Sequence, residues 1–450
     1  MSRKIVNIAK NILLPIDFKL VFPVIILIFI GFMSIYSACS SYNNMLFGFL
    51  LTQLLAFGLG IIGLVFTANF NYRYYKRFDR FIYILSIVIL ILVLIFGSVK
   101  KGAKSWFDFG FALFQPVEIV KIMFILSVAS FIDKKSEKIN NISFFIVLFA
   151  MFIGHVFFIM MQPDFSSTLS YFPVLLILLF VAGANKFYLF YIIVFIFFSV
   201  SIPILNTFFN THQQLLFSQN KMFLLLKSYL FNIIYVIIFV LLSIIICCLY
   251  FSLKLKVKKL INLIILCTSM LFGCLSSIVI ERSLKDYQKK RIMVFLNPAF
   301  DPVRSGYNIA QSKIAIGSGG LIGKGFKKGT QTQLCFLPEK HTDFIFSVIA
   351  EEGGLILSQI TLFFYFILIS RAFVIAKKSN DRYGSIVAIG IITMFVFYIV
   401  INICMSTGII PVVGVPLPFI SYGGSSIFSS MCAIGILCSI NNSKRLRIYI

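Results

Sequence analysis

Residues 306–354 read GYNIAQSKIAIGSGGLIGKGFKKGTQTQLCFLPEKHTDFIFSVIAEEGG, the only long polar stretch in a chain otherwise dominated by apolar runs. Glycines stand at Gly317, Gly319, Gly320, Gly323, Gly325 and Gly329, and lysines at Lys313, Lys324, Lys327 and Lys328. The stretch closes on Pro338-Glu339-Lys340-His341-Thr342-Asp343, where an apolar helix is expected to begin. Glycine lets backbone N–H groups turn toward a ligand, and lysine supplies point charge for phosphate. Asp343, a carboxylate at the mouth of a helix, is a candidate general base. A flexible, solvated basic loop would need the same Gly and Lys. It would not need the Gln, Ser, Thr and His gathered at the apolar margin.

Outward from this stretch the chain is membrane-embedded. Its 450 residues are 60% hydrophobic, include 54 Phe, and have a mean hydropathy of +1.00. That composition predicts an all-α polytopic membrane protein. Apolar runs give about twelve transmembrane helices: 21–38, 46–67, 81–97, 116–132, 142–161, 166–183, 187–205, 229–252, 259–280, 344–370, 383–404 and 419–440. The first run ends in Tyr36-Ser37-Ala38-Cys39, superficially a lipoprotein cleavage site. Its length, and the spans that follow at once, mark it as a retained helix.

Orientation follows from where the basic residues lie. With the N-terminus inside, inner segments carry Arg3, Lys4, Lys10 and Lys19, then Arg73, Lys76, Arg77 and Arg80, then Lys134, Lys135 and Lys138. Further along they carry Lys186, the run Lys254–Lys259, Arg371, Lys377, Lys378, Arg382, Lys444, Arg445 and Arg447. Short outer loops hold only Lys100, Lys101, Lys104, Lys221 and Lys227. Both termini are therefore expected in the cytoplasm, and the large loop 281–343 outside. The expected divisions are helices one to seven over 1–205, an insertion over 206–258, a helix over 259–280, the loop over 281–343, and the C-terminal helices over 344–450. The outer loop carries eleven of the basic residues behind the +25 net charge. Outside the cell such a loop needs an anionic membrane partner, a lipid headgroup or a lipid-linked phosphate, and not nucleic acid.

Other polar features fall on the same side. Trp106 and Asp108 precede the fourth span, with an interfacial anchor the plain alternative for the tryptophan. Gln115-Pro116-Val117-Glu118 leads to Lys121, so Glu118 and Lys121 share a helix face at i, i+3. Ionisable residues within a span face the protein interior, and a purely structural ion pair is an equal alternative. Gln162-Pro163-Asp164 ends span five. Span ten carries Glu351, Glu352, Gly353 and Gly354, with Glu351 expected roughly 12 Å below Asp343; spacing does not decide whether that acid pair is functional or structural. Residues 408–426 combine Pro411, Pro416 and Pro418 with Gly423 and Gly424, a broken helix entry that must line a cavity or be buried. The convergence of these groups on one face predicts a single outward-facing site. His155 and His212 have no metal-ligand spacing, nine cysteines form no disulfide framework, and GSGGLIGKG lacks the spacing of a nucleotide-binding loop.

These residues carry a family resemblance. RIMVFLNP (291–298), DPVRSGYNIAQSKIAIGSGG (301–320), GTQTQLCFLPEKHTDFIFSVIAEE (329–352), VGVPLPFISYGGSS (413–426), WFDFG (106–110) and QPD (162–164) closely resemble the SEDS family, the shape, elongation, division and sporulation proteins. The VGVPLP form is more similar to the elongation branch than to the division branch. The resemblance implies a peptidoglycan glycosyltransferase of the bacterial cytoplasmic (inner) membrane that polymerises lipid II, with Asp343 as general base. It implies a substrate-binding set of Trp106, Glu118, Lys121, Asp164, Arg291, Gln311, Lys313, Lys324, Gln331, His341, Thr342, Ser421 and Tyr422. Implied partners are lipid II, membrane lipids, a class B penicillin-binding protein and other elongation-complex membrane proteins. The cofactor is left open between a divalent cation, Mg or Mn, and none. Val117 departs from the family's serine, and Phe165-Ser166 from its Leu-Gly. The family has ten spans, so two are extra here, and an even insertion keeps the loop on its side. Two other classes compete: a lipid II flippase, which needs polar groups along a path, and a scaffold for a transpeptidase, which does not need Asp343.

Overall fold

The structure, a computed structural model, describes residues 16–40, 46–100, 103–108, 110, 113–139, 141–216, 240–245, 259–283, 293–294 and 305–442. Arg291 and most of the expected span 229–252 lie outside the described residues. The helices are α1 Phe18–Cys39, α2 Leu46–Asn69, α3 Arg73–Arg77, α4 Asp79–Phe96, α5 Val117–Lys134, α6 Ile142–Met161 and α7 Phe165–Ala182. They continue with α8 Lys186–Leu216, α9 Lys259–Ser283, α10 Ser305–Ser318, α11 Thr330–Gln333, α12 Ile345–Lys377, α13 Arg382–Ser406 and α14 Gly424–Asn442. Among the described residues nine helices are long and apolar enough to cross a membrane. The expected fourth and ninth spans, α5 and α9, are helical without meeting that measure. Glu118, Lys121, Asp133 and Lys134 make α5 more polar, yet its inward faces are buried.

The chain forms two compact units, one of residues 1–183 with 308–450, the other of 184–307. In the first, α14 packs along α2, α12 along α1 and α13, and α13 along α7 and α5. The α2–α14 approach is backbone-close: a Cβ on Gly435 would stand 2.4 Å from Leu64 O. Small residues at such crossings let membrane helices pack tightly.

Asp17 caps α1 and Asp381 caps α13, each accepting an N–H of the first turn. These acids also pair across helices. Arg371 on α12 reaches Asp17 at 2.6 Å, Arg73 reaches Asp381 at 3.1 Å, and Lys134 reaches Asp79 at 2.8 Å. The starts of α1, α4 and α13 and the ends of α5 and α12 therefore share one end of this unit. Asn441 at the foot of α14 joins Asp17 there. Alternation then gathers the end of α1, the starts of α2, α5, α7, α12 and α14, and the end of α13 at the opposite end.

In the second unit α8 and α9 run parallel. The Ser199 and Ser276 hydroxyls meet at 2.6 Å, and a Cβ on Gly273 would press on Phe198. The first turns of both helices share a cleft lined by Lys186, Phe190, Tyr191, Asn262 and Leu266. Two adjacent parallel crossings require the chain between them to return, which is the topological demand that the expected span over 229–252 meets. Residues 240–245 are helical, and Leu241 packs with Cys267 and Leu271 on α9. Cysteine-accessibility labelling at positions 256 and 324, in a cysteine-reduced background, should report opposite sides of the membrane. Labelling of both from one side would contradict this topology.

Three local structures differ from the sequence reading. Residues 98–114 form a small antiparallel sheet in the order β1 Ser98–Lys100, β2 Ala103–Asp108, β3 Leu113–Phe114, with Trp106 opposite Ser98. Helix α14 starts at Gly424 and not at 419, because three prolines and paired glycines keep 407–423 irregular. Helix α12 is broken at Gly354 (φ 63°, ψ −160°), so it does not run unbroken from 344 to 370.

Candidate active site

The broken segment 407–423 and the turn before α12 are held together at the end opposite the ion pairs. Glu339, at φ 53°, closes a turn in which its carbonyl accepts from Thr342 N at 3.2 Å. The Thr342 hydroxyl donates to Glu339 Oε2 at 2.9 Å. Ser421 Oγ donates to Thr342 O at 2.7 Å and accepts from Leu417 N at 2.8 Å. Tyr422 N donates to His341 O at 2.9 Å. The rings of His341, Tyr422 and Phe49 form a cluster with centroids 5.1–5.6 Å apart. Burial raises the Tyr422 hydroxyl above its ordinary range. His341, Thr342, Ser421 and Tyr422 are thus one hydrogen-bonded assembly, and Asp343 is the next residue in the chain.

Asp343 sits half-buried beside it. Asn402, a fully buried side chain on α13, donates from Nδ2 to Asp343 O at 3.0 Å and to Val415 O at 2.8 Å. Gly414 (φ 81°) faces the carboxylate, and a Cβ there would lie 3.4 Å from Asp343 Oδ2 and 3.8 Å from Ser166 Oγ. Only a residue tolerant of positive φ, with no side chain, leaves that space open. Ser166 donates to Val413 O, tying the start of α7 to the same turn.

Asp164 caps α7, accepting from Ser167 N at 3.0 Å and Ser167 Oγ at 2.7 Å. It also accepts from Gln115 Nε2 at 2.8 Å, and Gln115 N donates to Ser425 Oγ at 2.7 Å. One turn further along α5, Glu118 and Lys121 form a 2.7 Å ion pair, each about 5% exposed. Lys121 also bonds the Tyr398 hydroxyl of α13. The pair therefore clamps α5 to α13 beneath the assembly.

Lys324 and Gln331 gather elsewhere, around Glu351. Glu351 Oε1 accepts from Lys324 Nζ at 2.9 Å and Gln331 N at 2.8 Å, and Oε2 from Thr332 N at 3.0 Å and Thr332 Oγ1 at 2.7 Å. With both oxygens occupied by the chain's own donors, Glu351 organises the glycine-rich loop. Lys340 is buried and donates to Thr332 O at 2.5 Å. Gln311 is half-buried on α10 and Lys313 is exposed, its side chain crossing Gly408. That helix is tied down by Ser312, which meets Ser347 Oγ and Ser406 O, each at 2.6 Å. Trp106 lies half-buried on β2. Beside it, the Gly110 N–H and Lys100 hold the Asp108 carboxyl below its ordinary range.

The sequence alone assigns no role to Asn402, Ser166 or Gly414. A lone Asn in the apolar run 383–404 was the available signal, since polar groups inside spans are costly without partners. Asn402→Leu should strand two buried carbonyls, costing about 1–3 kcal/mol and loosening Asp343. Thermal unfolding should fall accordingly, together with activity. A variant as stable and active as the parent would remove Asn402 from this account.

Among known proteins, the family described as a cell cycle protein, FtsW/RodA/SpoVE, matches residues 18–226 and 207–446. The chain is 34% identical over 390 residues to peptidoglycan glycosyltransferase MrdB of Escherichia coli K12, covering 86% of this chain and 84% of that one. It is 31% identical over 426 residues to peptidoglycan glycosyltransferase RodA of Treponema pallidum, covering 94% and 97%. Its fold is similar to a chain from a solved peptidoglycan synthase complex that coordinates polymerization and crosslinking, at TM-score 0.65 and 23% identity, covering 95% and 98%.

Proposed function

The chain belongs to the FtsW/RodA/SpoVE family of cell cycle proteins, and from that premise we propose that it is a peptidoglycan glycosyltransferase that polymerises lipid II. The observation that carries the reading is the placement of Asp343. Its backbone is fixed by Asn402 and its carboxylate opens toward the Gly414 turn. A general base needs a fixed position and room for the group it deprotonates.

In the proposed reaction the 4-hydroxyl of one lipid-linked sugar attacks the anomeric carbon of another. The new C–O bond forms as the bond to pyrophosphate breaks, and the hydroxyl proton passes to Asp343. Polyprenyl pyrophosphate leaves with the electron pair. One direct displacement inverts an α-linked donor to a β-1,4 product. Lys313, exposed beside Gly408, would neutralise the leaving pyrophosphate. Lys324, paired with Glu351, acts by shaping the loop. Glu118 and Lys121 hold α5 and α13 in register below the reacting groups.

Among the described residues no three His, Cys, Asp or Glu side chains group to chelate a metal. Mg²⁺ needs few protein ligands when substrate phosphates complete its shell, so an ion held chiefly by a bound pyrophosphate would need no chelating cluster here. A bound cation would supply charge neutralisation for the leaving group.

The positive-inside tendency assigns the ion-paired end, both termini included, to the cytoplasm and Asp343 to the outer face of the bacterial cytoplasmic membrane. A class B penicillin-binding protein is the expected partner, because the new strands must be crosslinked. Conversion of purified lipid II to glycan strands by the reconstituted chain tests the proposal. The flippase and scaffold alternatives predict no product.

A further inference from the structure

The site leaves two apolar side chains of the polar stretch unaccounted for. Leu321 is 68% exposed, and Ile322, at 80%, is the most exposed large apolar side chain among the described residues. Hydrogen bonds fix their height on the bundle. At the Gly354 break, Leu355 N donates to Gly320 O at 2.9 Å and Ile356 N to Leu321 O at 3.1 Å. In return Lys324 N donates to Glu351 O and Gly325 N to Glu352 O, both at 3.0 Å. The contact is so close that a Cβ on Gly323 would stand 2.1 Å from Glu352 O. Leu321 and Ile322 therefore lie level with Leu355 and Ile356. Those two are themselves half-exposed, at the head of an exposed α12 stripe that continues through Ile360, Phe363 and Phe366.

The unbroken helix α1 gives the depth of that level. We take the Asp17–Arg371 ion pair, at the foot of α1, as the far boundary of the hydrocarbon. About 20 helical residues cross a ~30 Å hydrocarbon core. Counting that length along α1 from Asp17 reaches Ser37. That point is tied to the turn before the Gly354 break, since Ser37 Oγ donates to Glu352 Oε1 at 2.5 Å. The near hydrocarbon boundary therefore runs through Ser37 and Glu351–Glu352, with Leu321 and Ile322 at or just inside it. Around them Phe326 stacks on Tyr36, centroids 6.1 Å apart, and Lys327 Nζ lies 4.0 Å from the same ring. Aromatic and basic groups at this level are what a membrane interface selects.

We infer that residues 319–328 are a bilayer wedge in the leaflet nearest the site. Leu321 and Ile322 enter the acyl region beside the α12 stripe, while Lys327 and Lys328 meet phosphate headgroups. Non-helical backbone is tolerated at that depth because its pairing with the opened turn of α12 satisfies its polar groups. The wedge pins the layer that carries Asp343 at headgroup height. This inference rests on the membrane-spanning helices and not on the assigned chemistry.

The test uses the full chain in phosphatidylcholine vesicles. Trp106→Phe removes the single tryptophan, and Ile322→Trp places a reporter at the tip. Blue-shifted emission is expected, quenched most by lipid brominated near the headgroup, less by lipid brominated deep in the chain, and weakly by aqueous iodide. Leu321→Trp should repeat the pattern if Ile322→Trp does not insert. Emission open to iodide and indifferent to brominated lipid would overturn the inference. So would protection that appears only at high protein-to-lipid ratio, which would assign the face to a second copy of the chain.

Discussion

Asp343→Asn is expected to lower glycan synthesis by roughly 10²–10⁴-fold, the usual worth of general-base assistance. The amide keeps nearly the size and shape of the carboxylate but cannot accept the hydroxyl proton. Folding should survive, because the substitution leaves in place the backbone bonds that Asn402 makes to Asp343 O and Ser421 makes to neighbouring Thr342 O. Lipid II binding should persist, since the basic loop is untouched. Initial rates with purified lipid II, beside a thermal unfolding curve and a binding isotherm, separate these outcomes. A folded Asn variant that polymerises at near the parental rate would show that Asp343 is not the base.

The second large effect concerns Glu118 and Lys121. Removing one member of a buried ion pair leaves an uncompensated charge, at a cost of about 3–5 kcal/mol. Glu118→Gln or Lys121→Met alone should therefore be severe, and the double variant with Met at both positions milder than either. The clamp of α5 on α13 through Tyr398 predicts that stability and activity fall together. Activity lost at unchanged stability, measured across the double-mutant cycle, would instead place the pair against substrate.

The sequence made the spans and their alternation readable because a bilayer demands long apolar runs and sorts basic residues by side. The ion pairs of Asp17, Arg73, Asp79, Arg371 and Asp381 fall together at one end as that alternation requires. Asp343, Thr342, His341, Ser421 and Tyr422 were legible as separate motifs, but not the hydrogen bonds that join positions some 80 residues apart. Glu351 and Glu352 show the limit more sharply. As a pair of acids eight residues into a helix they looked deeply placed and undecided. Their partners Lys324, Thr332 and Ser37 come from other segments, and the Gly354 break sets their turn apart from the rest of α12. The sheet at 98–114 was hidden by strands of two to six residues, too short for alternation to register.

The central claim is that this chain makes glycan from lipid II. The direct measurement is the product formed by the purified full chain in vesicles supplied with lipid II, with and without a class B penicillin-binding protein. Polymeric glycan is predicted with the parental chain, and its rate should fall about 10²–10⁴-fold with Asp343→Asn under the same conditions. Lipid II that crosses the bilayer, or merely binds, without forming polymer in either condition would contradict the account.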